Sequence, residues 1–271
     1  GGASESEGIA FSDGMFSTSL SCSHAFDTTA IRTYSYVRMR IVGEVESIAS
    51  RGEHMELTDI IAERKSIRAF RSDRVPRETL EEVLGAAIRA PSAMNLQPWE
   101  LTVVIDEERE RLSRKLIKAY GEKRISCSPG NVAPLPQDVI ARGRASFDGM
   151  LPYLEEMGSD LNNFINEGSC NFYGAPVAII VSIDKSFSKA RFVDLGICVG
   201  YLLLAAHDRG LSTCPIGLIA AYEEEVKDAL NIPDGKSVVI GVALGYPDRE
   251  SPVNRFTSSR EGQAKTIRWI D

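Results

Sequence analysis

Val177-Ala178-Ile179-Ile180-Val181-Ser182-Ile183 is a short apolar run, and Phe192-Val193-Asp194-Leu195-Gly196-Ile197-Cys198-Val199-Gly200-Tyr201-Leu202-Leu203-Leu204-Ala205-Ala206-His207-Asp208 follows it closely. The first stretch has the length and β-branched content of a strand buried on both faces. The second reads as a helix that is apolar almost all round, which belongs in a core or at a subunit interface. Gly210 supplies its stop. Downstream, 222–230 reads as a short helix and 238–244 as a strand inside a sheet. Upstream, 101–105 reads as a strand and 107–120 as an amphipathic helix. A helix after Val75-Pro76 places Leu80, Val83, Leu84, Ala87 and Ile88 on one face, and Pro91 ends it. Thr58 is expected to cap a short helix that carries Ile60 and Ile61 into Arg64. Residues 121–170 are irregular around Pro129, Pro134 and Pro136, then helical. Strands and helices alternate without a β-α-β rhythm, which favours an α+β fold.

The chain has 271 residues with 25% charged and 43% hydrophobic composition, enough to bury a sizeable core. Net charge is −7, which argues against a general binder of nucleic acid or anionic membranes. The five cysteines, Cys22, Cys127, Cys170, Cys198 and Cys214, are widely spaced and read as reduced, buried thiols. The histidines lack ligand spacing, so no metal is expected. The longest apolar run, 193–206, is short for a membrane span and contains Asp194. No basic stretch leading into an apolar one opens the chain, so a cytoplasmic location is expected. Residues 1–54 are rich in Ser, Gly and Thr and read as an extension, partly disordered or surface-lying, with a strand expected at 34–45. Residues 55–271 form the expected catalytic unit.

Four segments carry chemistry. Arg64-Lys65-Ser66-Ile67-Arg68-Ala69-Phe70 sets three cations and a hydroxyl at a helix end, which suits a phosphate. Ala90-Pro91-Ser92-Ala93-Met94-Asn95-Leu96-Gln97-Pro98-Trp99 presents neutral amides between stiff prolines, which suits a planar polar heterocycle. Thr213-Cys214-Pro215-Ile216-Gly217 ends on a glycine that admits close backbone approach. Cys214 has no cationic or histidine neighbour in sequence to activate it as a nucleophile. Asn254-Arg255-Phe256-Thr257-Ser258-Ser259-Arg260 again clusters cations and hydroxyls. Each segment alone also fits a plain structural role.

Taken in order and spacing, these segments resemble the nitroreductase family of flavoproteins. The likeness runs from about residue 55 to 262. It includes R-x-S-x-R-x-F at 64–70, A-P-S-x-x-N-x-Q-P-W at 90–99, G-A-P-V at 174–177 and the D-x-G of Asp194 and Gly196. C-P-I-G at 214–217, A-L-G-Y-P at 243–247 and the Asn254 to Arg260 spacing complete it. The long segment 121–170 resembles the branch that includes nitrobenzoate reductases.

The resemblance implies an α+β sandwich with a mostly antiparallel sheet, a domain-swapped homodimer, and FMN held non-covalently at the subunit interface. By carry-over, Arg64, Lys65, Ser66 and Arg260 hold the phosphate and ribityl chain. Pro91, Ser92 and Asn95 reach the ring from the partner subunit, and Pro215, Ile216 and Gly217 lie along it. Arg68 is a further candidate cofactor contact, or serves the nicotinamide donor or the substrate. Arg255 is the candidate to replace a basic residue that many members carry where this chain has Ser258, and Asn171 is a candidate contact before G-A-P-V. No side chain is required as a nucleophile, because the cofactor carries the redox step. NADH or NADPH is the expected donor and a small nitroaromatic or quinone the expected acceptor. Another flavin enzyme on the same scaffold remains open: a reductive dehalogenase, a flavin-fragmenting enzyme or an azoline dehydrogenase. So does a non-catalytic flavin-binding protein. The 93–96 sequence lacks the G-A-H pattern of the deiodinase branch.

Overall fold

Among the residues that the computed structural model describes, 56–128 and 130–271, four strands form one sheet. The extension, with the strand expected at 34–45, lies outside the described residues. The strands are β1 (Trp99–Ile105), β2 (Val177–Asp184), β3 (Ser212–Ile216) and β4 (Lys236–Gly245), ordered β1-β2-β4-β3. Every neighbouring pair is antiparallel, so the architecture is α+β, as expected. β2 is central and buried along all but its last residue. Its side chains alternate between two cores: Val177, Ile179, Val181 and Ile183 on one face, Ala178 and Ile180 on the other. A bulge opposite Val181 and Ser182 adds Val239 to β4.

Helices cover both faces. The first core packs β2 and β4 against α2 (Arg77–Ala87) and α7 (Phe192–Asp208). The second uses α3 (Asp106–Lys123), α8 (Glu223–Leu230) and the turn Gly217–Tyr222. The remaining helices are α1 (Leu57–Glu63), α4 (Gln137–Asp148), α5 (Leu151–Glu156), α6 (Leu161–Cys170) and α9 (Gln263–Thr266). α5 and α6 build a third, small core with Val253 and Phe256.

Several expectations are corrected. Thr58 does not cap α1: the helix starts at Leu57 with Glu56 as its cap, so Thr58 sits in the first turn. Ile88 is half exposed, because α2 ends at Ala87 and Ile88 falls past the buried stripe. Cys127 is exposed, while Cys170, Cys198 and Cys214 are buried. β3 carries no strand expectation from the sequence. It is a five-residue edge strand that tolerates Pro215, whose missing N–H would break a central strand. The helical run Lys189–Asp208 is, by length and composition, apolar enough to cross a bilayer, contrary to expectation. Leu195, Cys198, Leu202 and Ala206 pack inward from it. Phe192, Val193 and Tyr201 stay exposed on the opposite side, Val193 at 66%. Gly210, at φ 70, takes the left-handed position after this helix, as expected of its stop.

The segment 64–70 attaches to the sheet without being a full strand. Ser66 bridges Thr213 in parallel, and the Ile67 N–H donates to the Thr213 carbonyl at 3.0 Å. Phe70 bridges Pro247 beyond β4. Asn254, buried in the turn Pro252–Arg255, completes the attachment. Its Oδ1 accepts from the Arg68 N–H at 2.9 Å, and its Nδ2 donates to the Ala69 and Asp248 carbonyls at 2.8 Å each. Asn254→Ala strips a partner from three part-buried backbone groups, of which only the Ala69 carbonyl keeps another, the Asp248 N–H, and is expected to lower stability by about 2 kcal/mol. Asn254→Asp, which turns both donors into an acceptor facing carbonyls, should do at least as much damage. Urea denaturation of the two variants checks this; losses under about 1 kcal/mol would remove the clamp role.

Candidate functional site

The bridge to β3 holds 64–68 extended, so its side chains alternate. Arg64 and Ser66 therefore fall on one side and Ile67 on the other. The first side opens on a cleft of about 790 Å³, a size typical of sites for small molecules and cofactors. Lys65 also borders the cleft, and Arg68 does not. α7 supplies Gly200, Leu203 and Leu204 to its wall, one helical face at i, i+3 and i+4. Pro215 of β3 lines it, as do Thr257, Ser258 and Arg260 of the C-terminal segment. Sequence reading brought out Arg64, Lys65, Ser66, Pro215 and Arg260, and the fold gathers these five. It missed Gly200, Leu203 and Leu204, whose only sequence signal was the helical spacing on α7; Thr257 lay within the 254–260 segment but was given no role.

The cleft is cationic at one end. Burial lowers the Arg64 pKa from its ordinary value, and the nearby Arg260 charge lowers it further. Arg260 Nη1 donates to the Ser258 carbonyl at 3.2 Å, the Ser258 Oγ at 2.8 Å and the Ser259 carbonyl at 3.0 Å. Lys65 Nζ lies 3.5 Å from the Thr257 Oγ1. Glu63 also lines the cleft, yet no ion pair joins an acid to Arg64 or Arg260 among the described residues. Two guanidiniums held together without a carboxylate form a natural anion seat.

Other candidates sit elsewhere. Arg255 pairs with Glu156 on α5 and lies 5.5 Å from the Tyr153 ring centroid, so it does not replace a base at Ser258. The Ile216 side chain is buried in the second core, which leaves only its backbone for a ligand. A Cβ built on Gly217 would meet nothing within 4 Å, so the space above it is open. Asn171 caps α6 and accepts from Arg109 Nη1 at 3.4 Å, outside the cleft. Arg68 points inward toward Tyr173, and its Nε is buried without a hydrogen-bond partner.

Pro91, Ser92 and Asn95 do not reach the cleft within one chain. They lie on a loop where Met94, Asn95 and Gln97 all have positive φ, at 53°, 57° and 46°. Ser92 Oγ braces the loop by accepting the Gln97 N–H at 2.9 Å. Left-handed non-glycine residues cost free energy and persist where surrounding structure fixes them, often at functional sites. Met94 is 88% exposed there.

A second groove of about 880 Å³ lies along α8, and several of its charges pair with each other. Lys227 pairs with Glu223 and Lys123 with Glu225.

The nitroreductase family model matches residues 61–246, which include α7, the sheet and all of 64–70. The chain belongs to the nitroreductase family. Among its relatives is a 4-nitrobenzoate reductase of Pseudomonas putida, 32% identical over 208 residues, covering 74% of this chain and 90% of the relative. The solved FMN-dependent nitroreductase NfnB from Mycobacterium smegmatis in complex with NADPH is 31% identical with a TM-score of 0.71. That match covers 79% of this chain and 97% of the other. The FMN and NADPH-dependent nitroreductase NfnB from Sphigopyxis sp. strain HMH is 26% identical, with a TM-score of 0.72 and coverages of 80% and 100%.

The uncompensated Arg64 and Arg260 generate a prediction. Inorganic phosphate should raise the melting temperature of the wild-type nitroreductase domain at low ionic strength. Arg64→Ala and Arg260→Ala should each abolish that rise while leaving the phosphate-free melting temperature unchanged or higher, because like-charge repulsion is relieved. A phosphate response that survives in both variants would place the anion seat elsewhere. Differential scanning fluorimetry with sodium chloride as the ionic-strength control reads this.

Proposed function

We propose that this nitroreductase-family chain is an FMN-dependent oxidoreductase that takes hydride from NADPH or NADH and delivers it to a small nitroaromatic or quinone-like acceptor. One observation carries the reading: Arg64 and Ser66 converge on one cleft with Arg260, remote from them in sequence, and no acid among the described residues is bonded to either guanidinium. A phosphate is the missing partner that this arrangement suits best. The orphaned Arg68 Nε at the inner side of the same strand-like segment adds a buried donor that the protein itself leaves unused. The residues present therefore fit FMN.

FMN, when bound, supplies the centre that accepts a hydride from the nicotinamide and passes it on. The protein's own groups bind and orient. Arg64, Lys65, Ser66 and Arg260 would grip the phosphate and ribityl chain. Pro215, the Ile216 backbone and Gly217 would line the ring, with Gly217 allowing close approach of backbone N–H groups. Arg68 would offset negative charge on the ring side. Donor and acceptor would use the same space in turn, in a ping-pong order. The whole unit spans 55–271 in this reading.

The reading includes a homodimer. Phe192, Val193 and Tyr201 of α7 leave an apolar face uncovered, and α1 adds exposed Leu57 and Ile61. Apolar patches of this kind mark association surfaces. A second copy seated there would bring the strained 91–97 loop to a cleft that one chain leaves without Ser92 and Asn95. The C-terminal Trp269, 82% exposed, and Ile270 are an apolar arm free to reach across. The nitrobenzoate reductase relative and the two FMN-dependent, NADPH-using NfnB nitroreductases support the cofactor and donor.

An absorbance spectrum of the purified protein tests the core of this reading. Expected are flavin bands released unchanged on denaturation, and bleaching of those bands on anaerobic mixing with NADPH or NADH. A colourless protein that takes up no added FMN would end the proposal, and a bound flavin that stays oxidised with both donors would end its enzymatic half.

A further inference from the structure

Tyr173 lies in the turn Phe172–Gly174, at φ 52°, a left-handed conformation for a bulky residue. Its ring is fixed from several sides. Phe164 of α6 packs against it with ring centroids 5.6 Å apart. Its Oη lies 3.2 Å from the Ser169 Oγ. Beneath it, α6 carries Gly168, where an added Cβ would fall 2.8 Å from the Tyr173 Cε1. The helix accepts a poor helix former at that point, and the ring takes the space.

What this fixed ring faces is the Arg68 guanidinium, whose Cζ lies 5.9 Å from the ring centroid. The Arg68 peptide N–H is clamped by Asn254, yet its Nε has no partner. Neither neighbour neutralises the cation. Burial pushes the Tyr173 phenol up to about 12, so it stays a neutral O–H near neutral pH. Burial likewise pushes the Cys214 thiol up, although the Arg68 charge and a Ser66 hydrogen bond pull it down. The charge of Arg68 is thus held by an aromatic face and matched by no acid among the described residues.

We propose that Tyr173 is a positioning residue: its ring face holds the Arg68 guanidinium two residues past Ser66 of the cleft wall, keeping that positive charge available to the cofactor ring. This rests on the FMN reading above. A cation–π contact suits the task, because it orients a guanidinium without cancelling its charge. A carboxylate in the same place would cancel it and would oppose the negative charge that the cofactor gains on reduction. The α6 helix acts through Gly168 and Phe164, so the 121–170 segment reaches the site by way of one tyrosine.

The test is a double-mutant cycle on the FMN-loaded protein, read by the midpoint potential of the bound flavin and by FMN affinity. Tyr173→Leu should make the potential more negative and raise the FMN dissociation constant about threefold to tenfold, the span that a cation–π contact covers. Tyr173→Phe, which keeps the ring face and loses only the phenol's interaction with Arg68, should shift both readouts less than Tyr173→Leu. Arg68→Met should shift the potential further, and adding Tyr173→Leu to it should change nothing more. Gly168→Ala, which displaces the ring without altering its chemistry, should move the potential in the same direction and carries the test if Tyr173→Leu does not fold. Equal shifts in the wild-type and Arg68→Met backgrounds would overturn the proposal, as would a Tyr173→Leu or Gly168→Ala protein with wild-type potential and affinity. A wild-type chain that binds no FMN would overturn the cofactor reading, and this one with it.

Discussion

Arg64 and Arg260 repel each other, and the fold nevertheless holds them at one cleft. That constraint explains the surrounding architecture. Arg64 ends α1 and begins the extended segment that β3 grips through Ser66 and Ile67. Arg260 ends the chain segment that Asn254 ties back to the same stretch. Two independent attachments therefore set one charge against the other. The cost of their repulsion is modest when both are partly solvated, and hydrogen bonds of the Asn254 clamp exceed it. An anion between the two cations would relieve the repulsion that remains.

The sheet makes this possible by offering an edge. β3 is short and interrupted by Pro215, so it is not extended by another full strand. The segment 64–70 covers that edge through isolated bridges, which leaves side chains on its outer side free for a ligand. α7 serves two layers at once. Leu195, Cys198, Leu202 and Ala206 fill a core, Leu203 and Leu204 line the cleft, and Phe192, Val193 and Tyr201 face outward. A helix apolar all round is the sequence requirement for those three tasks.

Much of this was legible beforehand, for physical reasons. β2 and α7 follow from length and apolar content, since burial on both sides leaves no polar face to misread. The cations of 64–68 and of 254–260 were legible as two separate clusters, and only the family resemblance joined Arg64 to Arg260. β3 was not legible, since a five-residue edge strand with a proline has little propensity signal. The fate of Arg255 was not legible either: its partner Glu156 is remote in sequence and meets it only through the third core. Asn254 stood out as a motif residue, but its use as a clamp depends on three backbone groups that only the folded chain brings together. Tyr173 carried no signal, because neither a left-handed tyrosine nor the glycine beneath it is marked by periodicity.

The central claim is a cofactor site assembled from two subunits, with the phosphate seat in one and the 91–97 loop from the other. Its most direct measurement is FMN stoichiometry in a mixed dimer isolated through two different affinity tags. One subunit carries Arg64→Ala with Arg260→Ala, and the other carries Ser92→Ala with Asn95→Ala. Each parent dimer has only damaged sites, whereas the mixed dimer has one intact and one doubly damaged site in a two-fold assembly. The account predicts little FMN in either parent and roughly half of the wild-type occupancy in the mixed dimer. A mixed dimer that binds no more FMN than the average of its parents would contradict it.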